Sequence, residues 1–303
     1  MTTATPPGAG VPKTPPGAGV PKCVGVIGGG RMGAGIAQVF AAAGASVTLV
    51  EADQAAGVSA LERLGATLRR AAARGKLAED PGSVLDRITL TDDITALPAD
   101  AELVVEAVPE EARLKIGVLS AAEKAVGEHT VLATNTSSLS IAGLAEGLRR
   151  PECFVGMHFF NPVPASDLVE IVVGPRTAES VRDAAWSWSA GLGKTAIVVR
   201  DSPGFATSRL GVLLGLEAIR MLEEGVADAA SIDRAMELGY RHPMGPLRST
   251  DLVGLDVRLA IAEHLERELG ERFAPPRLLR DKVARGELGR KTGQGFYAWE
   301  GTK

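Results

Sequence analysis

The chain has 303 residues, 45% of them hydrophobic, which is enough for one large domain or two modest ones with real cores. Its net charge of −4 has the wrong sign for a nucleic-acid-binding protein. It contains no apolar run of about 18 residues and no signal peptide, and so we predict a cytoplasmic protein without a membrane span.

The first residues form a direct repeat. The sequence TPPGAGVPK occurs as Thr5–Lys13 and again as Thr14–Lys22. A Pro/Gly repeat of this kind cannot propagate a helix and has little apolar surface to bury. We predict that residues 1–21 form a disordered tail, with a docking segment as the alternative.

A nucleotide-binding unit follows the repeat. Cys23–Ile27 is a short apolar strand, three glycines come next at G-x-G-x-x-G spacing, and an amphipathic helix leads to a second strand at Val47–Val50. The glycines permit a tight turn, close approach of a pyrophosphate and packing of the helix on the strand. This context predicts an NAD site, whose loop contains Gly28, Gly30, Arg31, Met32 and Gly33.

Glu51 closes the second predicted strand, 21 residues after Gly30. A carboxylate at this place can accept hydrogen bonds from the ribose hydroxyls of adenosine and would repel a 2′-phosphate. The predicted cofactor is therefore NAD rather than NADP.

Strands and helical stretches continue to alternate after this unit. Further strands are predicted at Leu103–Glu106, Val131–Thr134, Phe154–Met157, Val169–Val173 and Leu192–Val199. The alternation indicates a Rossmann-type, doubly wound α/β sheet, and we assign residues 22–202 to an NAD-binding domain.

The predicted strands stop at Asp201. Helices are expected at Ser202–Glu224, Ala229–Leu238 and Leu255–Leu269, with a break at Gly245–Pro246. We therefore predict an all-helical C-terminal domain over residues 203–303, and expect the active site in the cleft between the two domains.

Nine segments of the chain, taken in order, resemble one enzyme family. They are GVIGGGRMGAGIAQVFAAAG, EAVPE, ATNTSSLSI, GMHFFNPVP, LVEIV, LGKTAIVVRDSPGF, AMELGYRHPMGPL, DLVGLD and GRKTGQGFY. From about Lys22 to Trp299 the chain resembles the 3-hydroxyacyl-CoA dehydrogenases, in particular the stand-alone 3-hydroxybutyryl-CoA dehydrogenases of bacteria. The resemblance implies an NAD-dependent oxidation of a 3-hydroxyacyl thioester, or its reverse, and a helical domain that forms a homodimer.

His158 is the candidate general base. It follows a predicted strand, at the carboxyl end where α/β sheets place their ligands, and histidine ordinarily titrates near neutrality. Glu170 begins the next predicted strand, and would accept a hydrogen bond from one ring nitrogen while the other faces the substrate. The resemblance implies that His158 and Glu170 are the catalytic pair, and that Ser137 donates a hydrogen bond to the reacting oxygen.

The resemblance also supplies residues around the cofactor. It implies that Asn161 and Lys291 lie near the nicotinamide, and that Glu110 and Lys115 lie on the NAD side. Surface polar groups without such a role are the alternative for these four residues.

Three positions depart from the family pattern. Ser208, in PGFATSRL, stands where the family has an active-site asparagine; Ser166-Asp167 replaces Met-Lys; and Arg248 stands where an acid is usual. Because all three fall on the substrate side, they favour an altered substrate or reduced activity.

The sequence does not decide which carrier holds the acyl group of the substrate as a thioester. The resemblance places Thr67 and Arg74 at positions that contact CoA, and Arg69, Arg70 and Lys76 add positive charge nearby. This basic run could bind CoA phosphates, meet an acyl carrier protein, or be a solvated helix face.

The sequence also allows two other functions. One is oxidation of a carrier-protein-bound hydroxyacyl group of the glyceryl or seryl type, and the other is a non-catalytic dinucleotide-binding protein. Cys23 and Cys153 form no metal-binding spacing, and we expect no metal.

Overall fold

The computed structural model describes residues 19–299. The chain divides between Asp201 and Ser202 into two compact units, and each is described by itself. Residues 1–18, most of the predicted tail, lie outside the described part, and that prediction stays a prediction.

The first unit is built on one sheet. In the described residues its strands are β1 (Cys23–Ile27), β2 (Ser46–Val50), β3 (Ile88–Thr91), β4 (Leu103–Glu106), β5 (Val131–Thr134), β6 (Phe154–Phe159), β7 (Leu168–Val173) and β8 (Thr195–Arg200). Their order across the sheet is β3-β2-β1-β4-β5-β6-β7-β8. All neighbours are parallel except β6 and β7, which are antiparallel. The predicted doubly wound sheet is confirmed.

Helices cover this sheet because its strands are apolar on both faces. They are α1 (Arg31–Ala42), α2 (Gln54–Ala73), α3 (Pro81–Leu85), α4 (Ala112–Ala125), α5 (Ile141–Ala145) and α6 (Glu179–Gly191). Phe40 of α1 packs edge-on against Phe159 of β6, with ring centroids 6.5 Å apart. This packing holds α1 over the strand that carries His158.

The second unit is helical, as predicted. Its helices are α7 (Thr207–Glu223), α8 (Ala229–Gly239), α9 (Pro246–Val253), α10 (Leu255–Leu269) and α11 (Arg277–Ala284). Apolar residues of these helices, such as Leu216 and Leu265, are fully buried in a separate core.

Two buried aspartates join the sequence motifs of this unit. Asp233 accepts hydrogen bonds from the backbone N–H groups of Leu247 and Arg248, and Asp251 accepts them from Phe296 and Tyr297. Asp251 thus joins DLVGLD to GRKTGQGFY. The hydroxyl of Tyr297 also donates to Asp233, which connects GRKTGQGFY to the end of AMELGYRHPMGPL.

Several elements differ from the predictions. The edge strand β3 and the short helices α9 and α11 were not predicted, and the break expected at Gly245–Pro246 is the N-terminal end of α9. His158 lies inside β6 rather than after it, because β6 continues to Phe159.

No helix among residues 19–299 is long and apolar enough to cross a membrane. Over the same residues, no cluster of three His, Cys, Asp or Glu side chains is arranged to hold a metal ion.

Candidate active site

The glycines after β1 form the turn that the sequence predicts. Gly28 has a φ of +92°, a conformation that favours glycine. A Cβ on Gly33 would overlap the carbonyl oxygen of Gly28, whereas a Cβ on Gly30 would have no atom within 4 Å. The turn is thus closed on the strand side and open at Gly30, the N-cap of α1. The first N–H groups of a helix have no partner within the helix and are suited to binding a phosphate.

Glu51 lies beside this turn, immediately after β2. Its Oε1 accepts a hydrogen bond of 2.7 Å from the backbone N–H of Gly29, and its Oε2 accepts one of 3.2 Å from Ala52. The carboxylate is therefore held at the carboxyl edge of the sheet, next to the glycine loop.

A recess of about 940 Å³ opens over the turn, at the point where the strand order reverses between β1 and β4. Gly28, Gly30, Arg31, Met32 and Glu51 line it together with apolar side chains from the loops that follow, including Ile94, Val108, Leu114 and Val118. Open backbone at a helix N-terminus, a strand-end carboxylate and an apolar wall fit the pyrophosphate, ribose and adenine of NAD.

His158 and Glu170 face each other across β6 and β7. The two residues are register partners of the antiparallel pair, and Nδ1 of His158 lies 2.7 Å from Oε2 of Glu170. The Glu170 side chain is fully buried and that of His158 is 8% exposed. The ring of Phe160 lies 4.4 Å from the His158 ring, between centroids. The buried carboxylate beside Nδ1 fixes the orientation of the ring.

Asn135 is a residue whose role was not predicted. Its Oδ1 accepts a hydrogen bond of 2.9 Å from the backbone N–H of Phe159, next to His158. Its own backbone N–H donates to the carbonyl of Glu106. Asn135 therefore ties the loop after β5 to the end of β6, and its place in the NTSS segment was the available signal.

A buried ionic network lies under the same loop. Nζ of Lys115 is 2.7 Å from Glu106 and 3.3 Å from Glu110, and the side chains of Lys115 and Glu106 are 1% and 0% exposed. Glu106 also accepts a hydrogen bond from the hydroxyl of Thr134. Lys115 is thus enclosed beneath Glu110, and its predicted contact with NAD stays a prediction.

Glu110 accepts several hydrogen bonds from the NTSS segment. Its Oε1 accepts hydrogen bonds from the hydroxyl of Thr136 and from the backbone N–H groups of Ser137 and Ser138. Burial alone would raise the pKa of Glu110, but the Lys115 ammonium and these hydrogen bonds lower it below its ordinary value. Ser137 is consequently held beside an ionised carboxylate on the loop after β5, the strand next to β6.

Asn161 lies on the loop between β6 and β7. Lys194 fixes this loop, because its buried Nζ donates to the carbonyls of Val163 and Ser166 at 2.7 and 2.6 Å. Asn161 and Thr67 line one recess, and Thr67 and Arg74 line a neighbouring one of about 660 Å³. The structure therefore brings Thr67 of α2 and Arg74, the C-cap residue of α2, close to the loop of Asn161.

Other predicted residues belong to the second unit. Ser208 is the second residue of α7, and Nζ of Lys291 is 2.6 Å from Oδ2 of Asp256. The guanidinium of Arg248 lies over the rings of Tyr297 and Trp299, at 4.8 and 5.2 Å from their centroids. Arg248 thus has a stacking role within this unit.

The fold and the recess define a dinucleotide-binding protein with a Rossmann domain. The family description "3-hydroxyacyl-CoA dehydrogenase, NAD binding domain" matches residues 23–202, and "3-hydroxyacyl-CoA dehydrogenase, C-terminal domain" matches residues 204–299. The chain belongs to the 3-hydroxyacyl-CoA dehydrogenase family.

Individual relatives agree with this assignment. A probable 3-hydroxybutyryl-CoA dehydrogenase of Deinococcus radiodurans is 42% identical over 91% of this chain and 99% of its own. The mitochondrial hydroxyacyl-coenzyme A dehydrogenase of Sus scrofa is 40% identical over 91% of each chain. The crystal structure of (S)-3-hydroxybutyryl-CoA dehydrogenase from Ralstonia eutropha has a TM-score of 0.89 at 40% identity, covering 93% of this chain and all of that one.

Proposed function

We propose that the protein interconverts a 3-hydroxyacyl thioester and its 3-oxoacyl form, with His158 as general base and acid. The observation that carries the proposal is the buried His158–Glu170 pair. His158 lies near the carboxyl-terminal end of β6, in the sheet that also forms the cofactor recess. A scaffold that only bound a dinucleotide would have no use for an orienting carboxylate behind a histidine.

The chemistry divides between the cofactor and the chain. When bound, NAD supplies the hydride acceptor for oxidation and, as NADH, the hydride donor for reduction. His158 takes the hydroxyl proton on Nε2 during oxidation and returns it during reduction. Glu170 accepts the Nδ1 hydrogen bond and stabilises the imidazolium. The hydroxyl of Ser137, which lies 3.3 Å from Oε1 of Glu110, would turn to donate a hydrogen bond to the reacting oxygen.

The residues that hold NAD follow from the recess. The N-terminus of α1 and the backbone at Gly30 would hold the pyrophosphate, and Glu51 would accept from the ribose hydroxyls. Asn161 and Lys291 are proposed for the nicotinamide end.

We propose CoA as the carrier. Arg70, Arg74 and Lys76 are exposed around the recess that Thr67 lines, and three cations at one opening suit phosphate groups. A thioester on an acyl carrier protein is the alternative, because the acidic surface of such a protein would meet the same charges.

We propose that the protein is a homodimer and that the second unit forms its interface. Of the nine large hydrophobic side chains that are exposed in residues 19–299, seven lie in this unit, among them Leu210, Leu238 and Tyr240 at 67%, 63% and 75% exposure. Apolar surface concentrated on one unit is typical of an interface. Light scattering after size exclusion measures the mass directly.

The activity is tested by following NADH absorbance with acetoacetyl-CoA as substrate. His158→Gln should abolish most of the turnover, whereas His129→Gln, which changes an exposed histidine in the same unit, should not. Equal rates for the two variants would refute the proposed role of His158. Acetoacetyl groups on CoA and on an acyl carrier protein, compared at equal concentration, decide between the carriers.

A further inference from the structure

Arg258 occupies a core position of α10. Leu255, Ala262 and Leu265 are 0% exposed and recur at helical spacing, and Arg258, at 7%, takes the remaining place in this buried stripe. An apolar side chain would fill such a place at no electrostatic cost. A charged group there calls for a partner or a function.

No such partner is found among residues 19–299. Nε of Arg258 is completely buried without a hydrogen-bond acceptor. Burial lowers the pKa of Arg258 to about 10, and no neighbouring carboxylate offsets this effect. The guanidinium is still charged at neutral pH, so the second unit holds a fixed positive charge that lacks a counterion.

The charge lies along one face of α7. A Cβ on Gly215 would be 3.9 Å from Nε of Arg258, and a Cβ on Gly211 would be 3.9 Å from Nη1. Gly215 is buried and Gly211 is exposed, so the guanidinium points from the core towards solvent. Ser208 is on the same face, one turn before Gly211. Arg258 therefore points along α7 towards the position where the family has its active-site asparagine.

We propose that Arg258 binds a carboxylate on the acyl chain of the substrate, so that the enzyme prefers 3-hydroxyacyl thioesters that end in a carboxylate over neutral ones of equal length. This inference rests on the proposed function, since it assigns the substrate class of that reaction. The planar fork of a guanidinium matches a carboxylate with two parallel hydrogen bonds.

Two features of the chain favour a substrate carboxylate. The negative charge on the reacting oxygen is transient, and the proton of His158 already compensates it. The guanidinium of Arg258 is charged throughout the reaction, and so a carboxylate, which is also charged throughout, is the better counterion. Leu210 and Leu213 are two of the exposed apolar residues of the second unit, and they lie on a different face of α7 from Gly211 and Gly215. A dimer formed through these leucines would therefore leave the face of Gly211 open to a substrate.

The test compares 3-oxoadipyl-CoA with 3-oxohexanoyl-CoA, which have equal chain length and differ in the terminal carboxylate. Wild type should show a kcat/KM higher for the carboxylated compound by about 10- to 100-fold. Arg258→Met should remove this preference and leave the rate on the neutral compound within a few fold. Gly211→Leu, which blocks the opening but keeps the charge, should also reduce the preference. Arg267→Met, at an exposed arginine of the same helix, is the matched control.

Stability separates a binding role from a structural one. Because Arg258 is buried without a partner, Arg258→Met should keep or raise the melting temperature. The inference is overturned if wild type reduces both compounds equally well, or if Arg258→Met slows both to the same extent. It is also overturned if Arg258→Met changes the oligomeric mass and not the preference, since the carboxylate would then come from a second copy of the chain. Absence of turnover on both compounds and on acetoacetyl-CoA would instead refute the proposed function.

Discussion

Nδ1 of His158 and Oε2 of Glu170 are 2.7 Å apart because β6 and β7 run antiparallel and place the two residues opposite each other. Because the two side chains lie directly opposite each other on the same face of the sheet, no loop is needed to bring them together. The pairing of the two strands therefore sets the geometry of this pair.

Glu170→Gln should lower kcat by about 10²-fold or more while leaving the affinity for NADH unchanged. Glutamine can still hydrogen-bond to Nδ1, but it has no charge to stabilise the imidazolium. Steady-state kinetics and NADH fluorescence titration measure the two quantities. A kcat within threefold of wild type would show that the carboxylate charge is not used.

Glu51→Gln should raise the ratio of NADPH to NADH use. The amide oxygen can keep the hydrogen bond from Gly29, so the loop stays in place while the repulsion of a 2′-phosphate disappears. Asp53→Asn is the control, because Asp53 caps α2 near the same edge. The ratio of the two kcat/KM values is the readout, and a wild type that already prefers NADPH would contradict the assignment.

Lys115→Met should destabilise the first unit by about 3–5 kcal/mol, because it leaves the buried Glu106 carboxylate without its cation. The double variant Glu106→Gln with Lys115→Met should lose less stability than Lys115→Met alone. Urea unfolding measures both, and Lys124→Met, an exposed lysine of α4, serves as the control. Strictly additive losses would mean that the two charges do not interact.

Titration of Glu110 should make the free energy of unfolding depend on pH. Its pKa in the folded protein is lower than the ordinary value of 4.5, so the unfolded chain binds the proton first as pH falls. The contribution of Glu110 is therefore complete above pH 4.5 and is lost as pH falls below it towards the folded pKa. The free energies of unfolding of wild type and Glu110→Gln, measured in urea, should converge as the pH falls through this range. A difference that stays constant at every pH would argue against the effect.

Ser208→Asn should raise kcat/KM on acetoacetyl-CoA. The amide reaches further than a hydroxyl, and one well-placed hydrogen bond in a site without water contributes roughly 10²-fold in rate. A slower variant would show that the serine is adapted to this substrate as it stands. Thr207→Ser, at the first residue of α7, is the control for a small change at the start of this helix.

The amino-acid sequence alone determined the order of the main elements. Cys23–Ile27, Leu103–Glu106 and Val131–Thr134 were predicted with the bounds that the structure has, because central parallel strands are continuous apolar runs. Ile88–Thr91 was missed because an edge strand with two threonines carries little of that signal, and α9 and α11 were missed because each has only eight residues.

Only the tertiary structure decided how these residues meet. The antiparallel direction of β7, which sets Glu170 opposite His158, is a property of strand pairing that hydrophobic periodicity does not contain. The enclosure of Lys115 between Glu106 and Glu110, and the burial of Arg258 beside Gly211 and Gly215, depend likewise on which helix faces pack together. Local sequence specifies an element and its apolar face, but the partner of a buried charge is chosen by contacts between segments far apart in the chain.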